Sequence, residues 1–286
     1  MESILKVNNL SRKYGDFSLE NISFNLEPGY IMGFIGPNGA GKTTTIKLIM
    51  NLIQKDSGEI KLFGETLAGH EVKIKDRIGF VYDQCNYYET FKIKDNVKLI
   101  APFYTKWNWD TFDNYLKRFK LNPDQKLSQL SQGMKIKFQL AIALSHDADF
   151  LLMDEPTSGL DPVFRSEILD ILKEYIEKGE RSVLFSTHIT TDLEKIADYV
   201  TFINEGQMVF STDKDSILEK YALVKGGLEL LNEDFKTNLV GLRKNAFGFE
   251  GLTGNRDQMK TRYKDSIMIE KASLEDIMVY TAGGIR

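Results

Sequence analysis

The chain has 286 residues, of which 42% are hydrophobic and 27% charged, a balance typical of a soluble globular protein and not of a disordered one. Its formal net charge of -4 argues against a broad electrostatic contact with nucleic acid, which usually shows as an excess of Lys and Arg. A single cysteine, Cys85, excludes an intramolecular disulfide and fits a reducing compartment, and no apolar run is long enough to span a bilayer.

Three short apolar segments open the chain and are predicted to be strands. They cover residues 4–7, 19–24 and 31–35, and Pro28 with Gly29 marks a turn before the third. We expect these opening strands to form an antiparallel layer that is separate from the main sheet.

A phosphate-binding loop follows the third strand. It matches the pattern G-x-x-x-x-G-K-[ST] at every fixed position, and its residues are Gly36, Pro37, Asn38, Gly39, Ala40, Gly41, Lys42 and Thr43. The glycines allow backbone N–H groups to surround a polyphosphate, and the helix predicted over residues 44–50 adds its positive N-terminus. We expect Lys42 to reach the β and γ phosphates, Thr43 to hold Mg²⁺ and Thr44 to contact the nucleotide. The alternative is an ordinary Gly-rich turn between a strand and a helix.

Strands and helices alternate through the rest of the first 220 residues. The further strand-like stretches are residues 59–63, 78–82, 150–153, 182–186 and 200–203. This alternation predicts an α/β fold with a mostly parallel sheet that is covered by helices on both faces. Residues 91–147 are helical in pattern and rich in aromatic side chains, so we expect them to form a helical subdomain.

The composition changes after about residue 220, which predicts a small α+β region over residues 221–286. Its predicted strands are residues 222–224, 240–242 and 267–269. Ser273 is followed three positions later by Asp276, a spacing that resembles a capping box at the start of a last helix over residues 274–280.

Two acidic residues follow the apolar strand at residues 150–153. At the carboxyl edge of a parallel sheet, such residues lie beside the crevice where ligands bind. Asp154 is suited to hold Mg²⁺ and Glu155 to orient the attacking water. The alternative is a strand that ends in a solvated turn.

A possible second anion site precedes the helical run at residues 135–144. Ser131 supplies a hydroxyl and Gly133 a backbone N–H at a helix N-terminus, a combination that is able to bind a γ-phosphate. As plain structure, Ser131 would simply be the N-cap of that helix. The three histidines, at positions 70, 146 and 188, lack metal-ligand spacing, so we expect no structural metal.

Taken in chain order, these segments resemble the ATP-binding subunit of ABC transporters over roughly the first 220 residues. Residues 36–43 resemble its Walker A motif, residues 130–134 its signature motif and residues 150–155 its Walker B motif with a catalytic glutamate. The resemblance implies a P-loop NTPase fold of ABC type and hydrolysis of ATP with Mg²⁺. Gln132 stands where the family most often has Gly, and we expect function to survive this departure because Ser131 and Gly133 are kept.

The resemblance also assigns roles to isolated residues. Asp161 occupies the D-loop, His188 matches the switch histidine that contacts the γ-phosphate, and Tyr14 matches the aromatic residue that stacks on adenine. Asp83 aligns with the Q-loop glutamine, so either Asp83 or its neighbour Gln84 is expected to reach the metal. On plain structural grounds, Asp161 is also a good N-cap, and His188 and Tyr14 fit a loop and a turn.

In this family the signature serine completes the site of a second subunit. We therefore expect a head-to-tail homo- or heterodimer in which each ATP lies between one phosphate loop and Ser131 with Gly133 of the other copy. The implied partner is an integral membrane permease, which would hold the chain at the inner, cytoplasmic face of the cell membrane. Tyr87, Tyr88 and Phe91 are candidate permease contacts, with burial in the helical subdomain as the alternative.

The Ser-Leu-Glu-Asp stretch at residues 273–276 resembles ABC-2-type exporter ATPases, which favours export and leaves an importer ATPase as the alternative. A different class, ABC-type ATPases that act on ribosomes or DNA, shares the same motifs. Against that class, the chain has one set of motifs and no long heptad insertion. A nucleotide kinase or GTPase would need neither the signature segment nor His188.

Overall fold

The computed structural model describes residues 2–177 and 179–283. The strands are β1 (Leu5–Tyr14), β2 (Phe17–Leu26), β3 (Ile31–Ile35), β4 (Ser57–Leu62), β5 (Ile78–Val81), β6 (Phe150–Asp154), β7 (Ser182–Thr187), β8 (Tyr199–Asn204), β9 (Gln207–Asp213), β10 (Ala222–Gly226), β11 (Gly241–Asn245), β12 (Gly248–Thr253) and β13 (Met268–Lys271). The α-helices are α1 (Lys42–Ile49), α2 (Glu71–Lys75), α3 (Ile93–Ile100), α4 (Trp109–Arg118), α5 (Gln132–Leu144), α6 (Pro162–Ile176), α7 (Thr190–Ile196), α8 (Lys214–Lys220), α9 (Glu233–Lys236), α10 (Arg256–Tyr263) and α11 (Leu274–Gly283).

The larger sheet contains nine strands within the described residues, in the order β4-β1-β2-β9-β8-β3-β7-β6-β5. β3 pairs in parallel with both β7 and β8, and β6 pairs in parallel with β5 and β7. Every residue of β3, β6 and β7 is buried, as expected for parallel strands that are covered on both faces. The prediction of a mostly parallel α/β core is confirmed.

β8 and β9 of this sheet pair antiparallel, and its larger antiparallel part is formed by β1, which pairs with β2 and β4. It continues into the parallel part through one residue pair between β2 and β9, Glu20 with Gln207. The predicted antiparallel layer is present as β1, β2 and β4, whereas the expectations that it is separate from the main sheet and that it includes residues 31–35 are wrong. Those residues form the central strand β3 because side chains that are apolar on both faces can be covered only in the middle of the sheet.

The helical subdomain lies between β5 and β6. In the described chain, residues 91–147 form α3, α4, α5 and two short 3₁₀ turns and contain no named strand. The apolar faces of these helices join the main core, which includes Val97, Phe112 and Phe138. The predicted helical character of this stretch is confirmed.

A second, antiparallel sheet has the strand order β11-β12-β10-β13. It packs around its own apolar cluster, which includes Val224, Phe235 and Phe249. The sequence prediction missed β9 and β12, and it began β11 one residue early. The smaller α+β region is confirmed as architecture, whereas its boundary at residue 221 stays a prediction.

The last helix begins where the capping pattern predicts. The Ser273 hydroxyl donates to Asp276 Oδ2 at 2.6 Å, and the Asp276 N–H donates back to Ser273 Oγ at 3.1 Å. The Leu274 N–H donates to Glu194 Oε1 at 2.8 Å, so α11 starts against α7. Of the helices in the described chain, none is long and apolar enough to cross a bilayer.

Candidate functional site

The phosphate loop leaves the carboxyl end of β3 and enters α1, as the sequence predicts. Gly41 is the N-cap of α1 and has φ 113°, which a residue with a side chain rarely adopts. A Cβ at Gly36 would lie 2.2 Å from the Ile203 carbonyl oxygen, so only glycine lets the loop pass this close to β8. The loop conformation thus depends on two of the glycines that define the motif.

Lys42 is buried beneath the loop. Its Nζ donates to the Gly36 carbonyl at 2.8 Å and to the Pro37 carbonyl at 3.2 Å. The same Nζ lies 3.4 Å from Glu155 Oε1. A buried ammonium that is held by loop carbonyls and one carboxylate fits a site for an anionic phosphate chain.

Asp154 ends β6 and is fully buried beside the start of α1. Thr43 Oγ1 donates to Asp154 Oδ2 at 2.9 Å, and Ser186 Oγ donates to Asp154 Oδ1 at 2.6 Å. Burial raises the pKa of Asp154, while these two hydrogen bonds act in the opposite direction. Thr43 and Asp154 form a pair of hard oxygen donors that fits Mg²⁺, an ion that usually binds one or two carboxylates together with substrate phosphates.

Glu155 lies between two basic side chains. Its Oε2 is 2.8 Å from His188 Nδ1, while its Oε1 faces Lys42. Its backbone has φ 49°, in the left-handed region, and its N–H donates to Ser186 Oγ at 3.0 Å. A strained acidic residue whose backbone and side chain are both held by neighbours is typical of a functional position.

Lys42, Thr43, Glu155 and His188 line a cleft with a volume of about 600 Å³, and Asp154 is buried behind Thr43. The described residues that line it are Phe17, Asn38, Gly39, Gly41, Lys42, Thr43, Thr44, Asp83, Glu155, Ser158 and His188. The structure thus brings together most of the phosphate loop, Glu155 and His188, which are far apart in sequence. The other predicted site residues are not in that lining: Tyr14, Gly36, Pro37, Ala40, Gln84, Ser131, Gly133, Asp154 and Asp161.

Asp83 and Gln84 differ in their relation to the cleft. Asp83 lines it and raises the pKa of Asp154 through charge repulsion, whereas Gln84 is exposed outside the lining. Of the two candidates at the Q-loop position, only Asp83 lines the cleft, and a metal contact by either residue stays a prediction.

The aromatic residue that reaches the cleft is Phe17, which the sequence reasoning did not select. Tyr14 pairs with Phe17 across the β1–β2 hairpin, and its exposed ring is 5.0 Å from the Arg12 guanidinium. A Cβ on Gly41 would lie 3.1 Å from the Phe17 ring, so Phe17 covers the end of the phosphate loop. Tyr14 at the adenine position stays a prediction.

Ser131 and Asp161 both act as helix N-caps in the chain. Ser131 Oγ accepts from the Met134 N–H at 3.3 Å, and Asp161 Oδ1 accepts from the N–H groups of Val163 and Phe164 at 3.1 and 3.0 Å. A Cβ on Gly133 would lie 3.3 Å from Leu160 Cδ2, so the signature segment adjoins the D-loop. Ser131 itself is exposed.

Two further site residues were missed. Ser186 connects Asp154 with the backbone of Glu155, and Ser158 lines the cleft next to the D-loop. Their position in the family's motif segments was visible in the sequence, but a serine carries no distinctive signal there. The predicted roles of the individual site residues remain predictions.

The three aromatic residues proposed as partner contacts differ in their exposure to solvent. Tyr87 is half-buried and packs against Phe138 of the main core with the ring centroids 5.3 Å apart, which favours the alternative of packing within the helical subdomain. Tyr88 and Phe91 are 64% and 42% exposed, and their ring centroids lie 5.2 Å apart. They form an exposed aromatic pair just after the Asp83 segment.

Comparison with known proteins agrees with this geometry. The family model described as ABC transporter matches residues 19–158. The bacitracin transport ATP-binding protein of Bacillus licheniformis is 32% identical over 212 residues, which are 73% of this chain and 69% of that protein. The lantibiotic transport ATP-binding protein of Streptococcus pyogenes is 32% identical over 74% of this chain and 92% of its own length. The linearmycin resistance ATP-binding protein of Bacillus subtilis is 31% identical over 84% and 79%, respectively.

Solved structures show the same fold. An ATP-binding subunit of an ABC transporter superposes with a TM-score of 0.70 at 27% identity and covers 76% of this chain and 92% of its own. A dimeric ATP-binding cassette bound to ADP and phosphate gives a TM-score of 0.66 at 24% identity over 73% of this chain and 98% of its own, a likeness of fold alone. The chain belongs to the ATP-binding proteins of ABC transporters and is an ATP hydrolase of that family.

Proposed function

We propose that this chain powers export through a separate membrane permease by closing and reopening a dimer around ATP. The observation that carries the proposal is the incomplete cleft: Lys42, Glu155 and His188 converge, while Ser131 and Gly133 lie outside the lining. A second copy or a close relative would supply those two groups in a head-to-tail dimer. ATP that bridges two chains stabilises the closed dimer, and loss of the γ-phosphate weakens it.

In this proposal the chain's own residues orient the attack on the γ-phosphate. Glu155 accepts a hydrogen bond from the attacking water and positions it, because its carboxylate faces the cleft between Lys42 and His188. Lys42 and His188 meet the charge that develops on the transferring phosphoryl group. The loop N–H groups at Gly39 and Gly41 hold the phosphate chain in place.

Mg²⁺ would be held by Thr43 and Asp154, and Asp83, which lines the same cleft, would join through water. When bound, the ion neutralises charge on the β and γ phosphates. Ser186 keeps Asp154 oriented and prevents its carboxylate from turning away from Thr43. Phe17 with Tyr14 would contact the nucleotide base at the hairpin edge of the cleft.

The proposed permease contact is the exposed pair Tyr88 and Phe91, and it would hold the chain at the inner face of the cell membrane. Export is favoured over import because the relatives bear the printed roles of bacitracin transport, lantibiotic transport and linearmycin resistance. We also propose that residues 1–220 form the ATP-binding domain and residues 221–286 an accessory region. The start of β10 at Ala222 and the separate apolar cluster support that division.

Dimer closure is tested with Glu155→Gln, which is expected to bind ATP without rapid turnover. Size-exclusion chromatography with light scattering should show a dimer when ATP and Mg²⁺ are present and a monomer without them. The double variant with Lys42→Ala is the matched control and should stay monomeric, since it lacks the ammonium that binds phosphate. A Glu155→Gln chain that remains monomeric at saturating ATP would refute the dimer mechanism.

The partner is tested by purification from cell membranes. An affinity-tagged chain should copurify with a multispanning membrane protein, and substitution of Tyr88 and Phe91 by Ser should release that protein. Copurification with ribosomes instead would favour the alternative class of ABC ATPases.

A further inference from the structure

One face of α5 is bound to the segment that follows β5. Gln132, Lys135 and Gln139 lie three and four positions apart, so their side chains share that face. All three make polar contacts with residues 82–89, the stretch that includes Asp83. The helix that begins at the signature motif is therefore attached to the loop at the Q-loop position.

Gln139 makes the buried part of this attachment. Its Oε1 accepts from the Tyr82 N–H at 3.0 Å, and its Nε2 donates to the Tyr82 carbonyl at 3.0 Å. Gln139 is only 2% exposed. The amide thus satisfies both backbone groups of the residue that precedes Asp83, as a neighbouring strand would do, and it fixes the direction in which the chain leaves β5.

Two further contacts attach α5 to Asp83 itself and to Glu89. Gln132 Nε2 donates to the Asp83 carbonyl at 3.0 Å. Lys135 Nζ lies 2.6 Å from Glu89 Oε1, and this ion pair raises the pKa of Lys135. Gln132 is thus joined directly to the residue that lines the ATP cleft.

The attachment joins Asp83, in the cleft of its own chain, to the signature motif, which we expect to meet the nucleotide of a second chain. Asp83 lines the cleft of its own chain, whereas Ser131 and Gly133 flank Gln132 and lie outside that cleft. Resting on the dimer proposed above, we infer that Gln132 and Gln139 are positioning residues that tie the signature motif to Asp83. A shift of Asp83 on nucleotide binding is then carried to the Ser131 that meets the partner's nucleotide.

The experiment uses the 286-residue chain with Glu155→Gln, and it compares Gln132→Ala and Gln139→Met with Gln125→Ala. Gln125 is the matched control because its Nε2 also donates to a backbone carbonyl, that of Gln129 at 3.4 Å, away from Asp83. Loss of one such hydrogen bond should raise the ATP concentration for half-maximal dimer formation by about 5- to 10-fold. ATP affinity of the monomer, measured with a fluorescent analogue, should stay unchanged in all variants because the phosphate loop is untouched.

If Gln132 had only a structural role, its substitution would not weaken ATP-dependent dimer formation selectively. The positioning role is overturned if Gln132→Ala, which replaces an exposed side chain and should fold, dimerises like its parent. It is also overturned if Gln125→Ala weakens dimer formation equally. A parent that never dimerises with ATP would overturn the proposed function and the positioning role together, so the two failures are distinguishable.

A double variant separates coupling from a general loss of stability. If Gln132 acts through Asp83, Asp83→Ala with Gln132→Ala should weaken dimer formation no more than the stronger of the two single substitutions. Effects that add fully would show that the two residues act independently, and they would contradict the inference.

Discussion

The ATP cleft and the small C-terminal sheet are stabilised in opposite ways. The cleft places Glu155 in direct contact with both Lys42 and His188 and holds Glu155 in a left-handed backbone conformation. The small sheet instead packs around an apolar cluster centred on Phe235, and its ion pairs, such as Lys225 with Glu270, are partly exposed. The contrast predicts that substitutions in the cleft lower ATP turnover more than stability, whereas substitutions in the small sheet lower the free energy of unfolding more than turnover.

The strongest test of this contrast is Glu155→Gln. ATP turnover should fall by about 10²- to 10⁴-fold because the variant loses the carboxylate that positions water. Steady-state phosphate release measures the effect, and the thermal unfolding midpoint should change little. Glu219→Gln, an exposed substitution on α8, is the control and should leave turnover unchanged. Normal turnover in Glu155→Gln would remove Glu155 from its role.

The opposite behaviour is expected for Phe235→Ala in the small sheet. Phe235 is fully buried, with its ring centroid 5.0 Å from that of Phe249 and 4.6 Å from that of Tyr263. Truncation should lower the free energy of unfolding by about 3–5 kcal/mol through lost contacts and a cavity. Urea denaturation measures this loss, while turnover per folded molecule should persist.

The control for that substitution is Phe247→Ala, since Phe247 is 97% exposed at the β11–β12 turn. It removes the same side chain without creating a cavity and should leave the unfolding midpoint near that of the parent. Equal destabilisation by both substitutions would contradict the packing assigned to Phe235.

His146 tests whether a buried titratable group outside the cleft affects folding alone. Its fully buried ring stacks on Tyr104 with the centroids 3.8 Å apart, and burial lowers the pKa of His146 to about 4. Because the unfolded chain binds the proton near pH 6.5, stability is retained above that pH and lost as the pH falls towards 4. The loss amounts to about 3 kcal/mol at pH 4.

His146→Phe keeps an aromatic ring on Tyr104 and removes the titration. Urea denaturation at pH 7 and pH 4.5 should therefore show a smaller acid loss in the variant than in the parent. An identical acid loss in both proteins would show that His146 does not titrate on unfolding.

The smallest effect is expected for Lys225→Gln in the small sheet. Lys225 Nζ lies 2.7 Å from Glu270 Oε2 and 3.3 Å from Glu250 Oε2, and these contacts raise the pKa of Lys225. The partners are 35–43% exposed, so solvent screens the pairs, and the loss of stability should be smaller than that caused by Phe235→Ala. A loss as large as that of Phe235→Ala would contradict the contrast between apolar and ionic contributions.

The sequence predicted best those features that one local segment determines. The phosphate loop and the bounds of β3 followed from the spacing of Gly and Lys after a short apolar run. The reciprocal cap at Ser273 and Asp276 also depends on residues only three positions apart. The local sequence determines the geometry of such motifs, because their hydrogen bonds join residues only a few positions apart.

The sequence did not predict features that depend on contacts between distant segments. The sequence alone does not distinguish Tyr87 from its aromatic neighbours Tyr88 and Phe91. Only packing against Phe138 on α5 makes Tyr87 partly buried. Phe17 was missed because its place over Gly41 results from the pairing of β1 with β2. The attachment of β2 to β9 likewise depends on residues far apart in the chain.

The single residue pair that joins β2 to β9 divides the larger sheet into two parts that can diverge separately. Tyr14 and Phe17 lie in β1 and β2, on one side of this pair. β3 and the phosphate loop lie on the other side, beyond β9 and β8. An insertion or slip in the hairpin is not passed to β3 along a continuous ladder of backbone hydrogen bonds. Related chains can therefore change the β1–β2 hairpin while β3 and the phosphate loop stay unaltered.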